Sequence, residues 1–211
     1  MNIEKLKIAE QLFFQQYPQG FDHPEMLKVA KKHKMPEMIE SCQHHFARGN
    51  FANIELILEE WIKLVNRSSM VSMFDKPKFK TTIKQLTRLE KDLIVDALFQ
   101  VCYGDQTAGF TCQVEILSHY KMANWSLISI LPAYFRPNDE VFIKPTTTKG
   151  IIKTFELQEV VYHSKPTWQF YQQYRSTIND MKSHVDCSLS PNNAAFGGFL
   201  MMTMPQLSAM S

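Results

Sequence analysis

Glycine is scarce in this sequence, with only seven among 211 residues. Tight hairpin turns depend on glycine for backbone conformations with positive φ, so the scarcity disfavours a fold of many hairpins. No run approaches the roughly 20 apolar residues that a membrane-spanning helix requires. The first segment, MNIEKLKIAEQLFFQQYP, alternates charged with apolar residues and lacks the apolar centre of a secretion signal. These absences predict a helical protein that does not enter the membrane.

The four cysteines are scattered, with no CxxC pair among Cys42, Cys102, Cys112 and Cys187. A disulfide scaffold or a structural zinc site has denser, paired spacing. The sequence also lacks a Walker loop, an HExxH motif and a GxSxG elbow. We therefore expect reduced thiols, a cytoplasmic location, no metal and no cofactor.

Apolar residues recur at helical spacing along most of the chain. Residues 54–65 place a broad apolar stripe on one side of a helix, and residues 87–90, TRLE, have the form of a capping box. Residues 159–164 are the best candidate for extended chain. The pattern predicts an all-α fold, a compact bundle of about ten helices with at most a short extended segment.

The domain organisation follows from an interruption near residue 70, where serines and a proline break the helical pattern. It predicts a helical N-terminal part, residues 1–70, and a helical main domain, residues 71–211, unless the chain is one single domain.

The last helix, PNNAAFGGFLMMTM, is too apolar to lie exposed. Its Gly197 and Gly198 are costly inside a helix unless another backbone packs closely there. This helix is either part of the core or a surface that docks a partner protein.

Basic residues are clustered although the net charge is only +2. The segments KVAKKHK, residues 28–34, and KPKFKTTIKQLTR, residues 76–88, contain no acid. Such patches bind anions locally on a nearly neutral protein, or are the solvated faces of ordinary helices.

The stretch VFIKPTTTKG, residues 141–150, predicts a helix start that holds a phosphate. Free amides and a partial positive charge at a helix N-terminus favour an anion, and any of the three threonines is suited to the N-cap. The predicted anion-binding residues are Lys144, Thr146, Thr147, Thr148 and Lys149. The alternative is a capped helix with solvated lysines.

A second anion-binding segment is predicted at NRSSMVSMFDKPKFK, residues 66–80. Its contributing residues are Arg67, Ser68, Ser69, Lys76, Lys78 and Lys80. If it packs near the first segment, the two form a basic groove; the alternative is a polar connection with scattered lysines.

No carboxylate pair dominates the sequence. Asp105, Glu115, Asp139 and Glu140 lie close in sequence to the aromatic region of the second half. Any one of them is a candidate general acid or base if it is buried.

Several stretches of the second half resemble an uncharacterised bacterial protein family. They are NWSLISILP, VFIKPTTTKG, FEL, FYQQYR and LSPNNAAFGGFLMM, in that order. The resemblance implies no catalytic residue. A fainter similarity links the chain to helical DNA-repair glycosylases, which hold the DNA backbone at a helix start; their glycine-bearing hairpin followed by a catalytic aspartate is not evident here.

These patterns predict a protein that binds DNA or RNA through phosphate contacts at a helix N-terminus. Two alternatives remain: an enzyme acting on a small phosphorylated substrate at the same helix start, and a protein-interaction module.

Overall fold

In the computed structural model, which describes residues 1–209, the regular secondary structure is helical throughout. The predicted all-α fold is confirmed, since these residues form eleven α-helices and no strand. The helices are α1 (Ile3–Gln16), α2 (Pro24–His33), α3 (Met35–His45), α4 (Ile54–Arg67), α5 (Asp75–Gln85), α6 (Arg88–Tyr103), α7 (Gln106–His119), α8 (Trp125–Phe135), α9 (Pro145–Thr154), α10 (Trp168–Lys182) and α11 (Asn193–Ala209). Short 3-10 helices occupy Gly20–Asp22, Arg48–Ala52 and Cys187–Leu189.

Local sequence signals set several of these helix starts. At the start of α6, the Glu90 amide donates to Thr87 Oγ1 at 3.3 Å, and the Thr87 amide donates to Glu90 Oε2 at 2.9 Å. The predicted capping box is therefore confirmed, and each side chain satisfies an amide that the helix leaves free.

The hydrophobic core continues across residue 70, and aromatic pairs join helices from the two sides of that position. Phe13 of α1 meets Phe199 of α11 edge-on, with ring centroids 5.3 Å apart. Trp61 of α4 meets Phe79 of α5 in the same way at 4.8 Å. All four rings belong to one cluster of buried residues. Helices α1, α4, α5 and α11 therefore share a single core.

Helix α11 lies in the interior, packed against α1 and α9. Phe196, Phe199 and Leu200 are buried, and Met201 is exposed. The apolar face of α11 is therefore part of the core, against α1 and α9.

The close backbone packing expected at Gly197 and Gly198 is absent. A Cβ added at either position would meet no atom within 4 Å outside its own helix backbone. The close approach occurs instead at Gly109 of α7, where an added Cβ would lie 2.5 Å from the Ala97 carbonyl oxygen of α6. Gly109 thus allows α6 and α7 to pack tightly as a helical hairpin.

The four cysteines are unpaired. Burial raises the pKa of Cys102 to about 12, which suppresses the reactive thiolate. Across residues 1–209, no helix combines the length and apolar character needed to cross a membrane.

Candidate functional site

Helix α9 begins one residue before the predicted threonine caps. Its N-cap is Lys144, and Pro145 occupies the first helical position, where its fixed φ suits a helix and its missing N–H costs no hydrogen bond. The prediction that a threonine serves as N-cap is therefore wrong. Within residues 1–209, no side chain caps this helix start. The amides of Thr146 and Thr147 precede the first intrahelical bond, in which Thr148 N donates to Lys144 O at 2.8 Å, and they remain open to a ligand.

The three threonines of the α9 start differ in their access to solvent. Thr146 is exposed, and Thr147 is half-buried with its Oγ1 3.7 Å from the sulfur of Met201. Thr148 is buried, with Tyr174 of α10 beside it. Its side chain therefore lies in the core, apart from the exposed groups of this helix start.

Both predicted lysines of the α9 start are exposed. The ammonium of Lys149 lies 5.5 Å from the ring centroid of Tyr162, a cation–π contact. This contact orients the Lys149 side chain towards Tyr162. Lys144 adds a second positive charge at the N-cap, so charge and free amides coincide.

The second predicted segment contributes only part of its residues. Ser68 is fully buried, and its Oγ lies 3.0 Å from the Tyr134 hydroxyl and accepts from the Met70 amide at 3.1 Å. The Ser68 hydroxyl therefore lies in the core and not on the surface with its neighbours Arg67 and Ser69. Arg67 is exposed and its Nη1 lies 3.3 Å from Ser41 Oγ of α3.

Ser69 is exposed and brings the two predicted segments together through His33, the last residue of α2. Ser69 Oγ lies 2.7 Å from His33 Nδ1. Burial lowers the pKa of His33, and the positive charges of Lys32 and Lys144 lower it further. Lys144 therefore lies close enough to His33 for its charge to act on the imidazole. We call Lys144, Thr146, Thr147 and Lys149 together with His33 and Ser69 the anion surface.

The lysines of α5 lie on two sides of that helix. Lys76 and Lys80 are four residues apart and share one side, whereas Lys78 is offset by two residues and faces elsewhere. The predicted track through all three lysines is therefore divided between two faces of α5.

The four candidate carboxylates have different environments. Asp105 caps α7 by accepting from the amides of Thr107 and Ala108, and Glu115 and Asp139 are exposed. Only Glu140 is buried, with 2% of its side chain exposed.

The Glu140 carboxylate is fully occupied by neighbouring side chains. Its Oε1 accepts from Arg175 Nη1 and from Gln106 Nε2, each at 2.8 Å, and forms an ion pair with Arg136 Nη2 at 3.0 Å. Its Oε2 accepts from the Tyr171 hydroxyl at 2.8 Å. Burial and the Glu140 charge raise the pKa of Tyr171 well above its ordinary value. With every partner on α7, on α10 or at the end of α8, Glu140 joins these helices, and its role is structural.

His33 of the anion surface and Tyr162, which contacts Lys149, were not predicted as site residues from the sequence. His33 lies in the basic segment KVAKKHK, which was recognised only for its lysines, and Tyr162 follows α9 by eight residues. Within residues 1–209, no group of three or more metal-ligating side chains is close enough to hold a metal ion.

No protein-family model, no curated protein and no solved structure matches the chain, so its function is argued from the geometry of the site. The resemblance to a bacterial family stays a prediction.

Proposed function

We propose that the protein binds nucleic acid through phosphate contacts at the anion surface. The observation that carries the proposal is the position of Lys144, which lies at the start of α9 and also acts on His33 of α2. Lys144 thereby links the free amides of α9 to the basic C-terminal end of α2, where Lys31, Lys32 and Lys34 are exposed.

Two kinds of group attract phosphates at this surface: backbone amides, whose dipoles are fixed, and lysine side chains, whose charges are mobile. The α9 N-terminus offers two amides and a partial positive charge to a phosphate oxygen. The surrounding lysines neutralise neighbouring phosphates and release their counterions, which makes binding favourable and dependent on salt. Such contacts do not distinguish bases, so we expect little sequence preference. The four unpaired cysteines support a cytoplasmic location.

Lys144→Ala is expected to weaken binding of a labelled 15-base-pair DNA duplex, measured by fluorescence anisotropy. With about three phosphates neutralised, duplex affinity falls by about 40-fold between 50 and 200 mM salt. Lys144→Ala removes one of these contacts, lowers affinity by about five- to tenfold at 50 mM salt and reduces the slope of the salt dependence by about one.

The matched control is Lys7→Ala, which removes the same charge from α1, where Lys7 is paired with Glu10 at 2.9 Å. Its affinity should stay within about twofold of the parent protein. Equal weakening by both variants would show a diffuse charge effect, and absence of binding at 50 mM salt would refute the proposed function.

The alternative, an enzyme acting on a small phosphorylated substrate at this surface, is favoured by one contact. Ser69 Oγ and His33 Nδ1, 2.7 Å apart, have the separation of a nucleophile and its base. The two functions differ in their dependence on length: nucleic-acid affinity rises with oligonucleotide length, whereas a small-substrate site binds a nucleoside monophosphate as tightly as a 15-mer.

A further inference from the structure

An aromatic side chain is exposed to solvent at the start of α5. Phe74 and its neighbour Met73 are each 75% exposed. The turn that holds them is ordered by hydrogen bonds, since the Phe74 amide donates to Ser72 Oγ at 3.2 Å and the Asp75 amide donates to Ser72 O at 3.1 Å. The Phe74 ring is thus held outside the core by a defined backbone conformation.

Phe74 lies on the same side of α5 as a basic surface groove. Phe74 is the N-cap and has helical dihedral angles, φ −76° and ψ −27°. Lys78 and Thr81 follow it at spacings of four and seven residues, which places all three on one face. Lys78 and Thr81 line a groove of about 460 Å³, whose other wall includes Tyr120 and Lys121. We call this groove the α5 groove.

The chemistry of the α5 groove matches an unpaired nucleotide strand. Both charged residues that line it, Lys78 and Lys121, are positive, so they attract phosphates. Two acids lie nearby: Glu90 accepts a hydrogen bond from the Tyr120 hydroxyl at 2.8 Å, and Asp75 follows Phe74 in the first turn of α5. An exposed aromatic ring stacks on bases of any identity, but it reaches a base face only where the base is unpaired.

We propose that the α5 groove binds a single-stranded segment of DNA or RNA, with a base stacked on Phe74 and phosphates held by Lys78 and Lys121. The inference rests on the proposed function and adds the class of nucleic acid. It also gives Lys78 a role separate from that of Lys76 and Lys80, which lie on another side of α5.

The test is anisotropy with labelled 15-mers of deoxythymidine and of uridine, and with a 15-base-pair duplex. Phe74→Ala is expected to lower affinity for the single strands by about tenfold and to leave duplex affinity within about twofold. Phe74→Trp should restore single-strand binding, and the new indole should lose fluorescence when a base stacks on it. The two homopolymers show whether the groove prefers deoxyribose or ribose.

Lysine variants test where the bound nucleotide strand lies on α5. Lys78→Ala should lower single-strand affinity by about fivefold, whereas Lys80→Ala, which removes an exposed charge from a different side of α5, should have little effect. Because all of these side chains are exposed, the variants are expected to fold normally.

Three outcomes would overturn the inference. One is unchanged single-strand affinity in Phe74→Ala. Another is equal loss in Lys78→Ala and Lys80→Ala. The third is Phe74-dependent binding to phosphatidylserine vesicles without oligonucleotide binding, which would assign the exposed pair to a lipid surface. If Lys144→Ala weakens oligonucleotide binding and Phe74→Ala does not, only the groove inference fails; if no oligonucleotide binds at low salt, the proposed function fails with it.

Discussion

Glu140→Ala is expected to destabilise the protein by about 3 kcal/mol, because it leaves buried polar groups without their shared acceptor. Arg175, Gln106 and the Tyr171 hydroxyl donate to this carboxylate, and Arg136 forms an ion pair with it. The two arginine side chains are 20% and 34% exposed, so water partly compensates the guanidinium groups, and the loss lies at the lower end for a broken buried pair.

The measurement is urea unfolding followed by circular dichroism. Glu115→Ala is the control, since Glu115 is an exposed glutamate on α7, and its change should stay within about 0.5 kcal/mol. A loss below about 1 kcal/mol in Glu140→Ala would show that the polar network does not hold α7, α8 and α10 together.

Gly109→Ala is expected to destabilise the protein by about 2 kcal/mol, although alanine has the higher helix propensity. The new methyl group would lie 2.5 Å from the Ala97 carbonyl oxygen and 2.9 Å from the Val101 amide nitrogen. Both are backbone atoms, so relief requires α6 and α7 to move apart and to lose packing along the hairpin.

Gly198→Ala makes the same chemical change in α11, where an added Cβ meets no atom within 4 Å. It should stabilise the protein by about 0.5–1 kcal/mol, because alanine restricts the unfolded chain and favours the helix. Thermal unfolding of the two variants measures the contrast. Stabilisation by both substitutions would show that α6 and α7 are not in close contact at Gly109.

The helices were predictable because their signals are local. The capping box at Thr87 and Glu90 and the apolar stripe that includes Trp61 depend on neighbours within a few residues, and the structure contains both. The helical periodicity therefore predicted the fold class.

The candidate site was less predictable, because access to solvent depends on distant parts of the chain. Nothing in the sequence of Ser68 or Thr148 indicates that Tyr134 and Tyr174 cover them. Their burial results from the packing of α4 on α8 and of α9 near α10, which the local pattern does not encode. The sequence pattern therefore assigned every serine and threonine beside the lysines to an anion site, whether its hydroxyl is exposed or, as in Ser68 and Thr148, buried.

The effect of the Lys144 charge on His33 likewise depends on the tertiary structure. More than one hundred residues separate them, and only the fold places their charges close together. The prediction of close backbone packing at Gly197 and Gly198 failed for the same reason. A glycine inside a helix indicates close packing, but the position of the neighbouring helix decides whether that packing occurs at Gly109 or at Gly198.

The pKa of His33, followed by NMR with and without a saturating 15-mer, tests most directly whether a phosphate backbone lies on the anion surface. Burial, Lys32 and Lys144 hold this pKa below its ordinary value in the free protein, so Lys144→Ala should raise it. A bound phosphate stabilises the imidazolium and should also raise it, and affinity should therefore increase as the pH falls through the pKa of the free protein. The His33→Gln variant identifies the signal. An unchanged His33 pKa at saturating oligonucleotide would contradict the proposed site and place the nucleic acid elsewhere on the protein.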